Sequence, residues 1–231
     1  MKTKCLFGIF ILSFLIFCVF STNGLAQNTQ EIDLLRGKRI GVIGDSYVKN
    51  HAEPIANTWH YKFAEKHQMQ YYNYGINGNC IAMPRERYGE AMYKRYQEMA
   101  DSLDYVIVIA GHNDSFFLKE IGIDNFKAKL ATLCQGLIEK YPTAKIFFFT
   151  RWTCHDFAGS DAEKSVDMMI EVCGNYGIPV FDAARRSNIF AQSDAFRAVY
   201  FQNEGKGDNA HLNSKGHDRF LKCAENFILN Y

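Results

Sequence analysis

The chain predicts an α/β fold, a three-layer sandwich in which a five-stranded parallel sheet is flanked by helices. Three observations carry this. Short apolar runs alternate with stretches of helical periodicity. The runs are continuously apolar, as strands buried on both faces must be. Polar signatures of Gly, Asp, Asn, Ser and His follow the runs, where the carboxyl ends of parallel strands place ligand sites.

The elements follow in order. Lys2 and Lys4 precede an apolar stretch from Leu6 to Phe20, and small or polar residues lead to Gly24-Leu25-Ala26. That arrangement predicts a secretory signal peptide over residues 1–26, cleaved near Ala26, and one domain over 27–231 exported to a periplasmic or extracellular space. The run is short for a spanning helix, which needs ~20 apolar residues, so no stable membrane insertion is expected after cleavage. The first strand is expected over Lys38–Gly44 (KRIGVIG) and a weaker second over Gln68–Tyr74. Tyr105–Ala110 (YVIVIA) and Lys145–Thr150 (KIFFFT) are the third and fourth. Ile178–Phe181 is a short fifth, with Pro179 suiting an edge.

Between them, Tyr88, Met92, Tyr96, Met99 and Leu103 are spaced to share one helix face, and Phe126, Leu130, Leu133, Leu137 and Tyr141 another. Ser160 and Glu163 have capping-box spacing, Gly177 suits the position after a helix end, and Asn213 suits the N-cap of the last helix.

Composition narrows the function. Hydrophobic residues make up 48% and charged residues 22% of 231, as in ordinary globular proteins. A formal net charge of +1 gives no footprint for nucleic acid. Of seven cysteines, Cys80, Cys134, Cys154, Cys173 and Cys223 lie beyond the leader, an odd number that leaves at least one thiol unpaired within the chain. No C-x-x-C pair supports a zinc knuckle, and neither cofactor nor metal is expected.

Four short blocks carry chemistry. The first strand ends in Gly44-Asp45-Ser46, which can present the serine hydroxyl at the sheet rim, although Ser46 alone suits an N-cap equally well. The second runs into Asn73-Tyr74-Gly75-Ile76-Asn77-Gly78, where a glycine lets backbone approach a ligand and offer an N–H; either Gly75 or Gly78 fits. The third ends in Gly111-His112-Asn113-Asp114. The Asn113 amide suits an oxyanion hole, and His112 is a candidate substrate contact or simply a positioned neutral ring. Near the C-terminus, Asp208-Asn209-Ala210-His211 places an acid where it can turn back on a histidine. A metal hydrolase built on His112, Asp114 and His155 is a more distant reading.

In this order the blocks resemble those of the SGNH hydrolases, the GDSL-like lipases and acylhydrolases, named for the Ser, Gly, Asn and His they share. The resemblance spans about Lys38 to the end, and Thr58-Trp59 is similar to the family as well. It implies a flavodoxin-like sheet and a serine esterase without cofactor. Ser46 would be the nucleophile, His211 the base and Asp208 its orienting acid, with an oxyanion hole of Ser46 N–H, Gly78 N–H and the Asn113 side chain. Gly78 is chosen over Gly75 because the family glycine lies several residues past the strand. Tyr47 departs from the aliphatic residue of the narrower GDSL lipases, so lipase activity is not implied. Tyr47, directly after Ser46, and Trp152, in the aromatic and polar loop 151–157, are expected beside the substrate. The expected substrate is a small-molecule or glycan ester, with O-acetyl glycans foremost. A thioesterase or lysophospholipase is the alternative, and a silent glycan-binding module on the same fold is the alternative of another class.

Overall fold

The computed structural model describes residues 34–231, and residues 35–231 form one compact unit. The expected leader lies outside the described residues. Among them no helix is long and apolar enough to cross a membrane.

Five strands form one parallel sheet: β1 (Arg39–Gly44), β2 (Gln70–Gly75), β3 (Tyr105–Ile109), β4 (Lys145–Phe149) and β5 (Val180–Phe181), in the order β2-β1-β3-β4-β5. This meets the predicted class and is the flavodoxin-like order, whose switch point lies between β1 and β3. β2 starts two residues later than expected because Gln68 takes a left-handed turn (φ 53°) into the strand. β5 is an edge of only two paired residues, as Pro179 suggested.

The inner strands β1, β3 and β4 are largely apolar because both faces are covered, whereas the edge strand β2 (QYYNYG) is only half-buried. Ile40, Val42, Ile107, Ile109, Phe147 and Phe149 face one core layer, shared with Trp59 and Phe63 of α2 (Trp59–Lys66) and Phe220, Ala224 and Ile228 of the last helix. Ile43, Val106, Val108 and Phe148 face the other, shared with Phe126, Leu130, Leu133 and Leu137 of α6 (Ile123–Lys140) and Met169 and Cys173 of α7 (Asp161–Asn175). Alternation along each strand divides its side chains between the two layers. The Cys134 and Cys173 sulfurs meet between α6 and α7 at 3.7 Å as free thiols.

The helix ends follow their capping chemistry. The Glu163 N–H donates to Ser160 Oγ at 3.2 Å, and the Glu163 carboxylate turns back to Gly159 N–H, one residue before the cap. Asn213 caps the last helix, α10 (Ser214–Leu229), by accepting from Gly216 N–H at 3.0 Å. Gly177 has φ +68° just beyond α7.

One helix expectation is corrected. Residues 88–103 form no continuous helix, only α3 (Met92–Arg95) and a 3₁₀ turn over Tyr96–Glu98. The cause is a competing set of partners. The Asn79 amide donates to Tyr88 O at 3.0 Å and Glu90 O at 2.8 Å, taking carbonyls a helix would use. Arg95 turns inward to donate to Tyr74 O at 2.9 Å and Asn79 Oδ1 at 3.3 Å. The apolar spacing instead serves a folded loop over the sheet.

Candidate active site

The blocks meet at the carboxyl end of the sheet, around its switch point. β1 hands over at Gly44, where an added Cβ would lie 2.3 Å from Ile109 O on β3, so only glycine allows the two strands to end this close together. Asp45 then caps α1 (Ser46–Lys49), its Oδ1 accepting from Tyr47 N–H at 2.9 Å. This turn puts Ser46 at the rim.

His211 reaches Ser46 from the loop before α10. Its Nε2 lies 2.8 Å from Ser46 Oγ, and its Nδ1 lies 2.9 Å from Asp208 Oδ2 and 3.0 Å from Oδ1. The three-residue spacing works because Asp208 also closes its own turn: Oδ1 accepts the Ala210 and His211 backbone N–H groups, each at 2.9 Å. Burial alone would raise the Asp208 pKa. The hydrogen bonds from the His211 side chain and from these two backbone groups outweigh it and hold the carboxyl below its ordinary value. The loop is pinned from outside: Gln202 N–H donates to His211 O at 2.9 Å, and Trp152 Nε1–H to Ala210 O at 3.0 Å.

Asn113 lies in α4 (His112–Phe116), just past β3. Its Nδ2 donates to Asp45 Oδ2 and to Asn79 O, both at 3.1 Å. The amide thus bridges the residue before Ser46 and the residue after Gly78. Asp45 is fully buried, and burial pushes its carboxyl up to about 7, against the opposing hydrogen bond from Tyr47 N–H and the charge of His211.

The two candidate glycines differ. Gly75 N–H donates to Asn73 Oδ1 at 2.9 Å. Gly78, at φ +73°, has an N–H with no acceptor among the described residues, as does Ser46. A Cβ at Gly78 would meet the Tyr88 ring at 2.8 Å.

The expected substrate contacts divide. His112 lines the open cleft beside His211. Burial, then the positive charge of Arg151, lowers its pKa to about 3, so the ring is neutral. Tyr47 and Trp152 are not open to a sugar, which corrects that expectation. Trp152 is 3% exposed, one neighbour being Tyr47, stacked at 5.3 Å, and another Phe220 at 4.8 Å. Tyr47 is 5% exposed, with its hydroxyl 3.3 Å from His112 Nδ1. Their area is used in tying the β4 loop to the site. Phe116, edge-on to His112 at 5.1 Å, is by contrast 67% exposed.

The metal set His112, Asp114 and His155 is also corrected. Asp114 is buried with its oxygens accepting from Ile81 N–H at 2.9 Å and Ala82 N–H at 3.0 Å, so it braces the loop after β2. Among the described residues, His51, Asp208 and His211 do offer ligand atoms within 4.8 Å of one another. They fit a metal poorly: both His211 nitrogens are engaged, and the two imidazoles are stacked 9° from parallel, so their in-plane lone pairs do not converge. His51, Asn79 and Gln202 carried no motif in the sequence. Their parts in the site come from tertiary contacts alone.

Comparison with known proteins adds the lineage. The family model for GDSL-like lipases and acylhydrolases matches residues 42–219. A solved protein from Lactobacillus plantarum is 24% identical with a TM-score of 0.72, the match covering 85% of this chain and 98% of that one. An acetyl xylan esterase shares 15% identity and a TM-score of 0.60 over 82% of this chain and 98% of its own. An active-site mutant of a family two carbohydrate esterase from Clostridium thermocellum shares 16% and 0.61 over 84% and 63%. No curated protein matches in sequence. At these identities the solved structures share the fold. The family model runs from within β1 into α10 and takes in every block at the rim, and on that match the chain belongs to the GDSL-like lipase/acylhydrolase family.

Proposed function

We propose that the chain is a carboxylic ester hydrolase that works through an acyl-enzyme on Ser46. The observation that carries this reading is the continuous hydrogen-bonded line from Ser46 Oγ through His211 to Asp208. With Nδ1–H held by Asp208, His211 presents a bare Nε2 to the serine hydroxyl. It takes that proton as Oγ attacks the ester carbonyl, and the Asp208 carboxylate stabilises the imidazolium so formed. The oxygen of the tetrahedral intermediate meets the Ser46 and Gly78 N–H groups, which have no other acceptor, and the Asn113 amide beside them, which exchanges one of its two bonds, to Asp45 or to Asn79 O, for the oxyanion. His211 then returns the proton to the leaving alcohol. Water, activated by the same nitrogen, releases the acid and restores Ser46.

The cleft supports a short acyl group on a polar alcohol. Its open part, about 520 Å³, is lined by Glu53, Gln202, Asn203, Lys206 and Asn209 together with His51 and His211. These groups suit hydroxyl-rich ligands. Beside Ser46, the hollow among Tyr47, Asn50, Trp152 and His217 is about 10 Å³, room for a water at most, so among the described residues no apolar acyl channel runs inward from the serine there and the acyl group faces the polar cleft. Two neighbours in fold bear the names acetyl xylan esterase and carbohydrate esterase, in keeping with an O-acetyl ester on a glycan. The leader-like sequence over 1–26 supports action outside the cytoplasm. The test is turnover of acetylated sugars alongside p-nitrophenyl esters of increasing chain length. Activity that falls steeply beyond the shortest acyl chains is expected, and a preference for octanoate overturns the short-acyl reading.

A further inference from the structure

His51 stands outside the four blocks, yet its ring lies on His211 with centroids 4.2 Å apart and planes 9° from parallel. Tyr47 meets the same His211 ring edge-on at 6.1 Å, so the imidazole is gripped by two aromatic neighbours. The grip is built into the backbone. Asn50 (φ 68°) and His51 (φ 48°) are consecutive left-handed residues that reverse the chain after α1. Few non-glycine residues take that conformation, although His and Asn do so more readily than most. Several contacts enforce it. Asn50 Nδ2 donates to Pro54 O at 2.7 Å, and Asn50 Oδ1 accepts from Gln202 Nε2 at 3.1 Å. Asn77 Nδ2 donates to His51 O at 3.3 Å. The His51 ring is exposed to the cleft on its far side, so burial of apolar area does not account for its placement. A left-handed residue that its surroundings hold so firmly points to a use for where its side chain goes.

We infer that His51 is a positioning residue for the base. It holds the His211 ring in the plane from which Nε2 meets Ser46 and Nδ1 meets Asp208, and its π face lies against the charge His211 carries while it holds the serine proton. The inference rests on the proposed role of His211, and it assigns the effect to the flat ring of residue 51 and not to its nitrogens.

Two substitutions in the full chain separate the possibilities, read with p-nitrophenyl acetate. His51→Asn keeps a residue that accepts the left-handed conformation and removes the ring, with His51→Gly as its check. His51→Phe keeps a flat ring and removes the nitrogens. The expected result is a fall in kcat of about tenfold to a hundredfold for Asn and Gly at nearly constant KM, the size associated with loss of alignment at a reacting centre. Phe should restore kcat to within about threefold of wild type. Thermal midpoints of Asn and Gly should stay close to wild type because residue 51 is exposed, and that of Phe should fall by a few degrees, the cost of left-handed strain at this position. The inference is overturned by wild-type kcat in His51→Asn, by equal losses in Asn and Phe, or by a change confined to KM. Ser46→Ala in the same assay keeps the two levels apart. If that variant stays active, the reading of the site fails and this inference falls with it; if it is inactive while His51→Asn is not, only the inference fails.

Discussion

Asp45 and Asn113 are joined across the sheet rim by a 3.1 Å hydrogen bond from the Asn113 amide to Asp45 Oδ2. Because Asp45 precedes Ser46, this bond fixes the asparagine relative to the serine. Because the same amide donates to Asn79 O, it also fixes the turn carrying Gly78. Removing the amide therefore acts on chemistry and on stability together. Asn113→Ala should lower kcat by roughly 10²–10³-fold, as loss of an oxyanion donor does. It should also cost about 1–3 kcal/mol of unfolding free energy, because buried Asp45 loses a partner. A change in KM alone, with kcat intact, would make Asn113 a binding group only.

Asp45 itself predicts a pH dependence. Its folded pKa, raised by burial to about 7, lies above the 3.8 of an ordinary carboxyl. The folded state therefore holds this proton more tightly than the unfolded chain. The associated stability is fully present below about pH 4 and is lost as pH rises through about 7. Asp45→Asn should remove that decline, on the order of a few kcal/mol, although it sets two amides against each other at Asn113 and so lowers stability at low pH. Denaturant unfolding of both proteins across this range reads the difference in slope. Parallel curves would show that Asp45 does not titrate there.

Trp152 and Phe116 exchange the roles expected of aromatic residues near the cleft. Trp152→Ala should cost about 3–5 kcal/mol, and it should impair sugar and p-nitrophenyl esters alike, since it frees the loop that carries His211. Phe116→Ala should leave stability nearly unchanged and weaken turnover of a glycan ester more than that of p-nitrophenyl acetate, which has no sugar to stack. The comparison of the two substrates in the two variants decides. A selective loss on sugars from Trp152→Ala, with Phe116→Ala silent, would restore the sequence-based expectation.

The sheet was legible because strands buried on both faces are unbroken apolar runs, as in YVIVIA and KIFFFT. The site was legible as an ordered set of short polar blocks. No single block was decisive. What stayed hidden depends on contacts between distant segments. The stretch 88–103 has helical spacing, but nothing within it announces that Asn79 and Arg95 will take up the loop's polar groups. Trp152 sits in a polar loop whose sequence does not show Tyr47 and Phe220 closing over it. His51 follows α1 in an unremarked run, and only the left-handed reversal turns its ring onto His211.

Asp208→Asn tests the orientation of the base. An amide at this position can present N–H to Nδ1 and favour the wrong tautomer, so kcat should fall by about 10²–10⁴-fold with the fold retained. Activity at the wild-type level would show that the bond to Asp208 shapes the loop without serving the reaction.

The central claim is that Ser46 is the nucleophile, and covalent trapping addresses it most directly. The full chain is treated with a fluorophosphonate and mapped by intact-mass and peptide analysis. The account predicts one adduct, on Ser46, with hydrolysis lost in proportion to labelling. It predicts no adduct and almost no turnover in Ser46→Ala, and labelling slowed by orders of magnitude in His211→Ala. An adduct on another residue, or hydrolysis that persists in Ser46→Ala, would contradict it.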